Sequence, residues 1–194
     1  MLEFKAPNPW PKDKLSVFLA GSIEQGKAFN WQAETVKRLA AFDITIVNPR
    51  RDEWDASWEQ SIRNPKFAEQ VNWELDSLSD VDLIMMYFDP ETLSPITLLE
   101  LGKYSDSGKI FVGCPQGYWR RGNVEVECAR AGIRLYESFE ELFDAVKLRI
   151  ASTIGHPYLP FQDESSEVTA EIAEKFEATL QANKSFYDKL LNGR

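Results

Sequence analysis

Glu100 lies in the segment SPITLLELGKY, residues 94–104, with Leu98, Leu99 and Leu101 around it. A carboxylate set among leucines is partly desolvated when its helix packs on a sheet, and desolvation raises its pKa unless hydrogen bonds offset the cost. Such a group can serve as a nucleophile or as a general acid–base. The plainer reading, a solvent-facing glutamate, is the commoner fate of an isolated acid in a helix. More acids flank the apolar run VDLIMMYF, residues 81–88: Glu74 and Asp76 stand before it, and Asp89 follows it. The loop AGSIEQGK, residues 20–27, adds Gly21, Ser22 and Gly26, whose small size permits close backbone approach to a phosphate near a helix N-terminus. It lacks the Lys-Ser/Thr pair of a P-loop and the glycine spacing of a dinucleotide fingerprint, so a tight turn without a ligand explains it equally well.

These side chains need elements to hold them. VDLIMMYF is too short to cross a membrane and suits a buried strand; Asp89, Pro90 and Ser94 break it and open a helix with Pro95 in its first turn. Strand-like runs recur at Leu15–Ala20, Ile44–Val47, Val81–Phe88, Ile110–Gly113 and Ile133–Tyr136. Helix-like segments fall between and after them: Lys27–Ala41, Pro65–Ser79, the Glu100 helix ending near Gly108, Val124–Ala131, and Ser138–Ala151 with Ser138 and Glu141 as a capping pair. The alternation predicts an α/β three-layer sandwich of the Rossmann/flavodoxin-like kind, with a five-stranded parallel sheet over residues 15–153. An N-terminal arm, 1–14, precedes it, and a C-terminal loop and helix extension, 154–194, follows with an apolar stripe at Val168, Ile172, Phe176 and Leu180. Ligands of such sheets lie at the carboxyl ends of the strands, where AGSIEQG, VNPRRDEW, YFDPETLS and GCPQGYW would gather. Residues 48–64 form a polar excursion whose Trp54 and Trp58 either stack on a flat ring or pin the loop to the body.

Composition narrows the chemistry. A formal charge of -9 over 194 residues, without a long basic cluster, argues against a nucleic-acid partner. Cys114 and Cys128, with His156 the single histidine, make neither a disulfide framework nor a zinc site, so no metal is expected and both thiols should be reduced core residues. The N-terminal MLEFKAPNPWPKDK has no apolar signal core and no stretch reaches membrane-spanning length, which places the chain in the cytoplasm with no membrane partner.

Taken together, VFLAGSI on the first strand, WELDSLSDVDLIMMYF before the acid and SPITLLELGKY around it resemble the nucleoside 2-deoxyribosyltransferase family and its nucleoside 5'-monophosphate N-glycosidase relatives over roughly residues 15–145. The resemblance implies that Glu100, in the ELG motif, is the nucleophile. It further implies a sugar-holding acid eight residues before Asp82, which is Glu74 where the family usually has Asp; Asp76 stays open as the alternative. The sugar 5' end would be held by Ser94 and by a residue lent from a neighbouring subunit, here Asn123. Transferases of the family carry Asp at the position of Ser94 and a Tyr on the first strand, where this chain has Phe18. The phosphate-cleaving relatives have Ser at that position and a loop like Gly21, Ser22 and Ile23, whereas Asn123 matches the transferases.

The implied reaction is a double displacement at C1' of a 2'-deoxynucleoside, with a deoxyribosyl ester on Glu100 awaiting a second base. Glu74, Asp76 and Asp89 are the acids available to protonate the departing base. This route needs no cofactor. Its partners are a nucleoside or nucleotide and a free nucleobase, in a homo-oligomer with shared active sites. Two other readings remain: an N-glycosidase acting on nucleoside 5'-monophosphates, with Ser22 and Ser94 cradling phosphate, and a noncatalytic nucleotide-binding module.

Overall fold

The computed structural model describes residues 1–23 and 28–155; Gly26 and the stripe Val168, Ile172, Phe176 and Leu180 lie outside the described residues. The strands β1 (Leu2–Lys5), β2 (Ser16–Gly21), β3 (Thr45–Asn48), β4 (Leu83–Tyr87), β5 (Ile110–Gly113) and β6 (Leu135–Tyr136) form one sheet. Its order is β1-β3-β2-β4-β5-β6, and every neighbouring pair is parallel. The helices among the described residues are α1 (Trp31–Arg38), α2 (Pro65–Asp80), α3 (Pro95–Tyr104), α4 (Arg121–Ala131) and α5 (Phe139–Thr153). None of them is long and apolar enough to cross a membrane.

The sheet is the expected three-layer α/β type with one strand more than the alternation predicts. The sixth strand comes from the N-terminal arm, where LEFK mixes apolar and charged residues and pairs only with β3, from Leu2 opposite Thr45 to Lys5 opposite Asn48. An edge strand is not buried on all sides and therefore need not be an apolar run. Without it, the order is that of a flavodoxin-like sheet.

The inner strands are covered on both faces, which is why they read as continuous apolar segments. Val17, Leu19, Ile46, Met85 and Tyr87 pack with Trp31 of α1 and with Phe139, Leu142 and Phe143 of α5. Their alternate neighbours Phe18, Ala20, Val47, Ile84 and Met86 pack with Leu78 of α2, Leu101 of α3 and Val124 of α4. Trp31 is fully buried, and its Nε1–H donates to the Ser22 carbonyl at 2.9 Å, so the indole is desolvated without an orphaned donor.

Local signals set the helix ends. Asn30 caps α1 by accepting from the Ala33 N–H, so the helix begins at Trp31 and not at the predicted Lys27. Asn64 accepts from Lys66 and Phe67 ahead of α2, with Pro65 in the first turn. Ser138 caps α5 as predicted, accepting from the Glu141 N–H at 3.2 Å; the Glu141 carboxylate reaches back to the Glu137 N–H.

Chain connections run outward in opposite directions from β2 and β4. The crevice beyond the carboxyl ends of these two strands is the switch point at which ligands bind in such sheets. Gly21 of β2 stands opposite Tyr87 of β4 at its edge.

Candidate active site

At the switch point β2 ends in Gly21, with φ 140°, a left-handed conformation that L side chains rarely adopt. The turn lets the Ser22 N–H donate to the Tyr87 carbonyl at 3.0 Å and sends the Ser22 hydroxyl inward. There it meets Ser94 Oγ at 2.6 Å and receives the Thr92 hydroxyl at 2.7 Å, while Thr92 and Ser94 lie 2.8 Å apart. All three are buried. The Asp89 N–H donates to Ser22 Oγ at 2.9 Å and ties the loop after β4 to the same cluster.

Ser94 occupies the position before α3, yet its side chain does not cap the helix. Its backbone is left-handed, φ 42° and ψ 52°, and it is the non-glycine residue with positive φ among the described residues. The hydroxyl is thus held toward Ser22 and Thr92 at a cost of about 1 kcal/mol or more in backbone strain. Strained backbone of this kind recurs at ligand-binding sites.

One and a half turns into α3, Glu100 is buried, 8 % exposed, and no described residue hydrogen-bonds to its carboxylate. Burial pushes its pKa up to about 8, and the charge of Glu74 adds to the rise. Glu74, on α2, is half-buried; desolvation lifts it to about 7, and the Gln70 Nε2–H, at 2.8 Å from Glu74 Oε1, opposes the lift. The structure therefore brings Glu74, not Asp76, beside Glu100: Asp76 is exposed on the outer face of the same helix. Both acids are raised toward neutrality, Glu100 in part by the charge of Glu74, so the two titrate as an interacting pair. One member can then attack as a carboxylate while the other gives or takes a proton.

Because Glu74's charge disfavours ionisation of Glu100, Glu74→Gln should move the acid limb of the kcat/KM profile toward lower pH, whatever it does to the maximum rate. A limb that stays in place, or moves to higher pH, would show that the two carboxylates do not feel each other.

The other expected residues are placed as follows. Phe18 is fully buried between the sheet and α2, its ring 6.2 Å from that of Trp73. Asp89 is buried, and its carboxylate accepts from the Glu91 N–H at 2.9 Å, closing the turn after β4. Asn123 is exposed in the first turn of α4 and lines a cleft of about 390 Å³ with Leu98, Leu101, Gly102, Arg120 and Glu127. Arg121, from the basic RRG spot, is buried and engaged: it pairs with Glu125 and Glu137 and donates to the Cys114 carbonyl. Trp54 and Trp58 pack on each other at 5.2 Å, with the Arg51 guanidinium over Trp58. Cys114 and Cys128 are free and buried, their thiols pushed up to about 12 by burial. Sequence alone does not single out Thr92 and Gln70; the usable signals are Thr92 two residues before Ser94 and Gln70 one helical turn before Glu74.

The parallel sheet, with buried Glu100 and half-buried Glu74 on the helices that flank β4, is an α/β fold of the doubly wound class. The family model described as nucleoside 2-deoxyribosyltransferase like matches residues 14–118, more than half of the chain and the whole of this constellation up to α4. The chain belongs to that family. No curated protein matches the chain with significant similarity.

Proposed function

We propose that the protein transfers 2-deoxyribose between nucleobases through an ester on Glu100. The buried pair of Glu74 and Glu100 at the switch point carries this reading. A Glu100 carboxylate oxygen forms a bond to C1' from the face opposite the base. The C1'–N bond breaks, its electron pair goes to the base nitrogen, and Glu74 supplies the proton; general acid help of this kind contributes about 10² to 10⁴ in rate. A second base then attacks the ester with loss of its own proton to Glu74, and configuration at C1' is retained overall. Desolvation around Glu100 sharpens its nucleophilicity and keeps water from competing with the acceptor.

The 5' end of the sugar fits the Ser22, Thr92 and Ser94 hydroxyls, of which Ser94 lies six residues ahead of the nucleophile. These groups are neutral, and Arg121 is committed to Glu125 and Glu137, which favours a 5'-hydroxyl over a 5'-phosphate. Incubating the protein with a 2'-deoxynucleoside and a different free base tests the proposal: the exchanged nucleoside is expected. Free deoxyribose with no exchange, together with a preference for 5'-monophosphates, would replace it with the N-glycosidase reading. No turnover of either substrate would leave a binding module.

The exposed position of Asn123 supports a site shared between subunits, in which its amide reaches a neighbour's sugar. Mixing inactive Glu100→Ala and Asn123→Ala subunits should then restore up to about a quarter of parental activity in a dimer exchanging both sites, since random pairing leaves one intact site in half of the dimers. No recovery after verified subunit exchange would confine Asn123 to a surface turn.

A further inference from the structure

Beyond the acid pair, two polar side chains at the same end of the sheet, half-buried Arg50 and buried Gln70, hold buried atoms with unmet hydrogen-bonding capacity among the described residues. Arg50 follows β3 by two residues, and its main-chain N–H donates to Asn48 Oδ1 at 3.0 Å. Its Nε and Nη2 are buried and find no acceptor among the described residues. These two N–H groups form the side-on fork of a guanidinium, the edge that grips a pair of adjacent acceptors. Leaving it empty costs the desolvation of both donors. Arg121 is satisfied by Glu125 and Glu137; Arg51 pairs through Nη1 with Glu69 and leaves only its Nε without an acceptor among the described residues, so Arg50 is the arginine whose whole side-on fork is empty among them.

Gln70 complements this fork. It is 3 % exposed, and its Nε2 donates to the Pro49 carbonyl at 2.9 Å and to Glu74 Oε1 at 2.8 Å. The Pro49 carbonyl can only accept, so the amide cannot flip, and Gln70 Oε1 is left buried without a donor. Arg50 is thus one peptide away from a carbonyl that touches Gln70, and Gln70 touches the acid beside the nucleophile.

We propose that Arg50 and Gln70 form the base-reading corner of the site and select nucleobases whose edge runs acceptor, acceptor, donor. The proposal rests on the reading of a nucleoside bound at Glu100. Cytosine presents this order at O2, N3 and N4–H; hypoxanthine and guanine present it at N7, O6 and N1–H. Adenine, thymine and uracil alternate acceptors with donors and leave one partner unmatched. A phosphate fits less well, because its negative charge would face the Glu74 carboxylate. As the C1'–N bond breaks, the electron pair spreads onto the same ring nitrogen and oxygen acceptors, and the Arg50 fork stabilises the charge there.

Free bases cannot turn over, so calorimetric titration of the intact protein with cytosine, hypoxanthine, adenine and thymine reads the corner separately from the transfer reaction. Cytosine or hypoxanthine should bind at least about tenfold more tightly than adenine and thymine, in keeping with bidentate base recognition. Which of the two binds better identifies the natural base. Arg50→Lys and Arg50→Met should reduce the preference to within about twofold while leaving the melting temperature unchanged or raised, since no described ion pair is lost. Equal affinity for all four bases, or a preference that survives both substitutions, would overturn the proposal. So would inorganic phosphate that competes with the bases and loses its own affinity in both variants, which would give the fork to an anion. Base preference without any exchange activity would sink the transfer mechanism and leave the base-reading corner standing.

Discussion

Replacing Glu100 with glutamine is expected to lower base exchange by at least about 10³-fold, because the amide cannot form the sugar ester and the neighbouring Glu74 serves as the proton donor rather than the nucleophile. The substitution should not harm the fold. Glu100's pKa in the folded chain, about 8, lies above the value near 4.3 of an exposed glutamate, so the folded state binds the proton more tightly than the unfolded state. Stability contributed by this group is fully present below the unfolded pKa and is lost as pH rises through the folded one. A glutamine mimics the neutral acid, so at pH 8 to 9 the variant should melt at or above the parental temperature, with the gap closing toward pH 5. Exchange within tenfold of the parent, in a protein with that melting behaviour, would remove Glu100 from the mechanism. Loss of activity accompanied by a lower melting temperature at pH 8 would trace the defect to folding.

Gly21→Ala should be the most damaging small substitution in the chain. A Cβ built there meets the Tyr87 carbonyl oxygen at 2.2 Å and the Tyr87 nitrogen at 2.9 Å, and φ 140° is itself unfavourable for alanine. Both clashing atoms belong to β4 backbone, which is paired with β2 and cannot move without opening the centre of the sheet. A loss of roughly 3 kcal/mol or more is expected, enough to lower the melting temperature by on the order of 10 °C or to leave the protein insoluble. Gly102→Ala is the matched control, because an added methyl there meets nothing within 4 Å. Equal melting of the two variants would mean that β2 and β4 are less tightly coupled than their register shows.

The inner strands were legible in the sequence because double burial makes them continuous apolar runs. β1 was not, since an edge strand of two apolar and two charged residues has no distinguishing pattern. Glu100 could be located from its leucine flanks and its motif. The choice between Glu74 and Asp76 needed helix geometry: residues two apart on α2 face different ways, and Gln70, one turn before Glu74, shares its face. The hydroxyl cluster was half visible. Ser22 and Ser94 stood out by motif, but Thr92 joins them only because the turn after β4 folds back on Asp89. Arg50 carries no such signal, because a Pro-Arg-Arg loop looks the same whether its guanidinium groups are paired or empty.

The N-terminal strand also bears on edge-to-edge association of the sheet. β3 is fully buried along its length, and its outer edge is occupied by β1, whose Glu3 accepts from the Asn48 amide at 2.7 Å. At the opposite margin β6 is two residues long, between Arg134 and Glu137. Both rims of the sheet are therefore short and bordered by charge, which denies a second chain a template for edge-to-edge growth. Cutting away Leu2–Lys5 would bare an apolar strand with open main-chain groups, a seed for aggregation even where every residue around Glu100 remained in place.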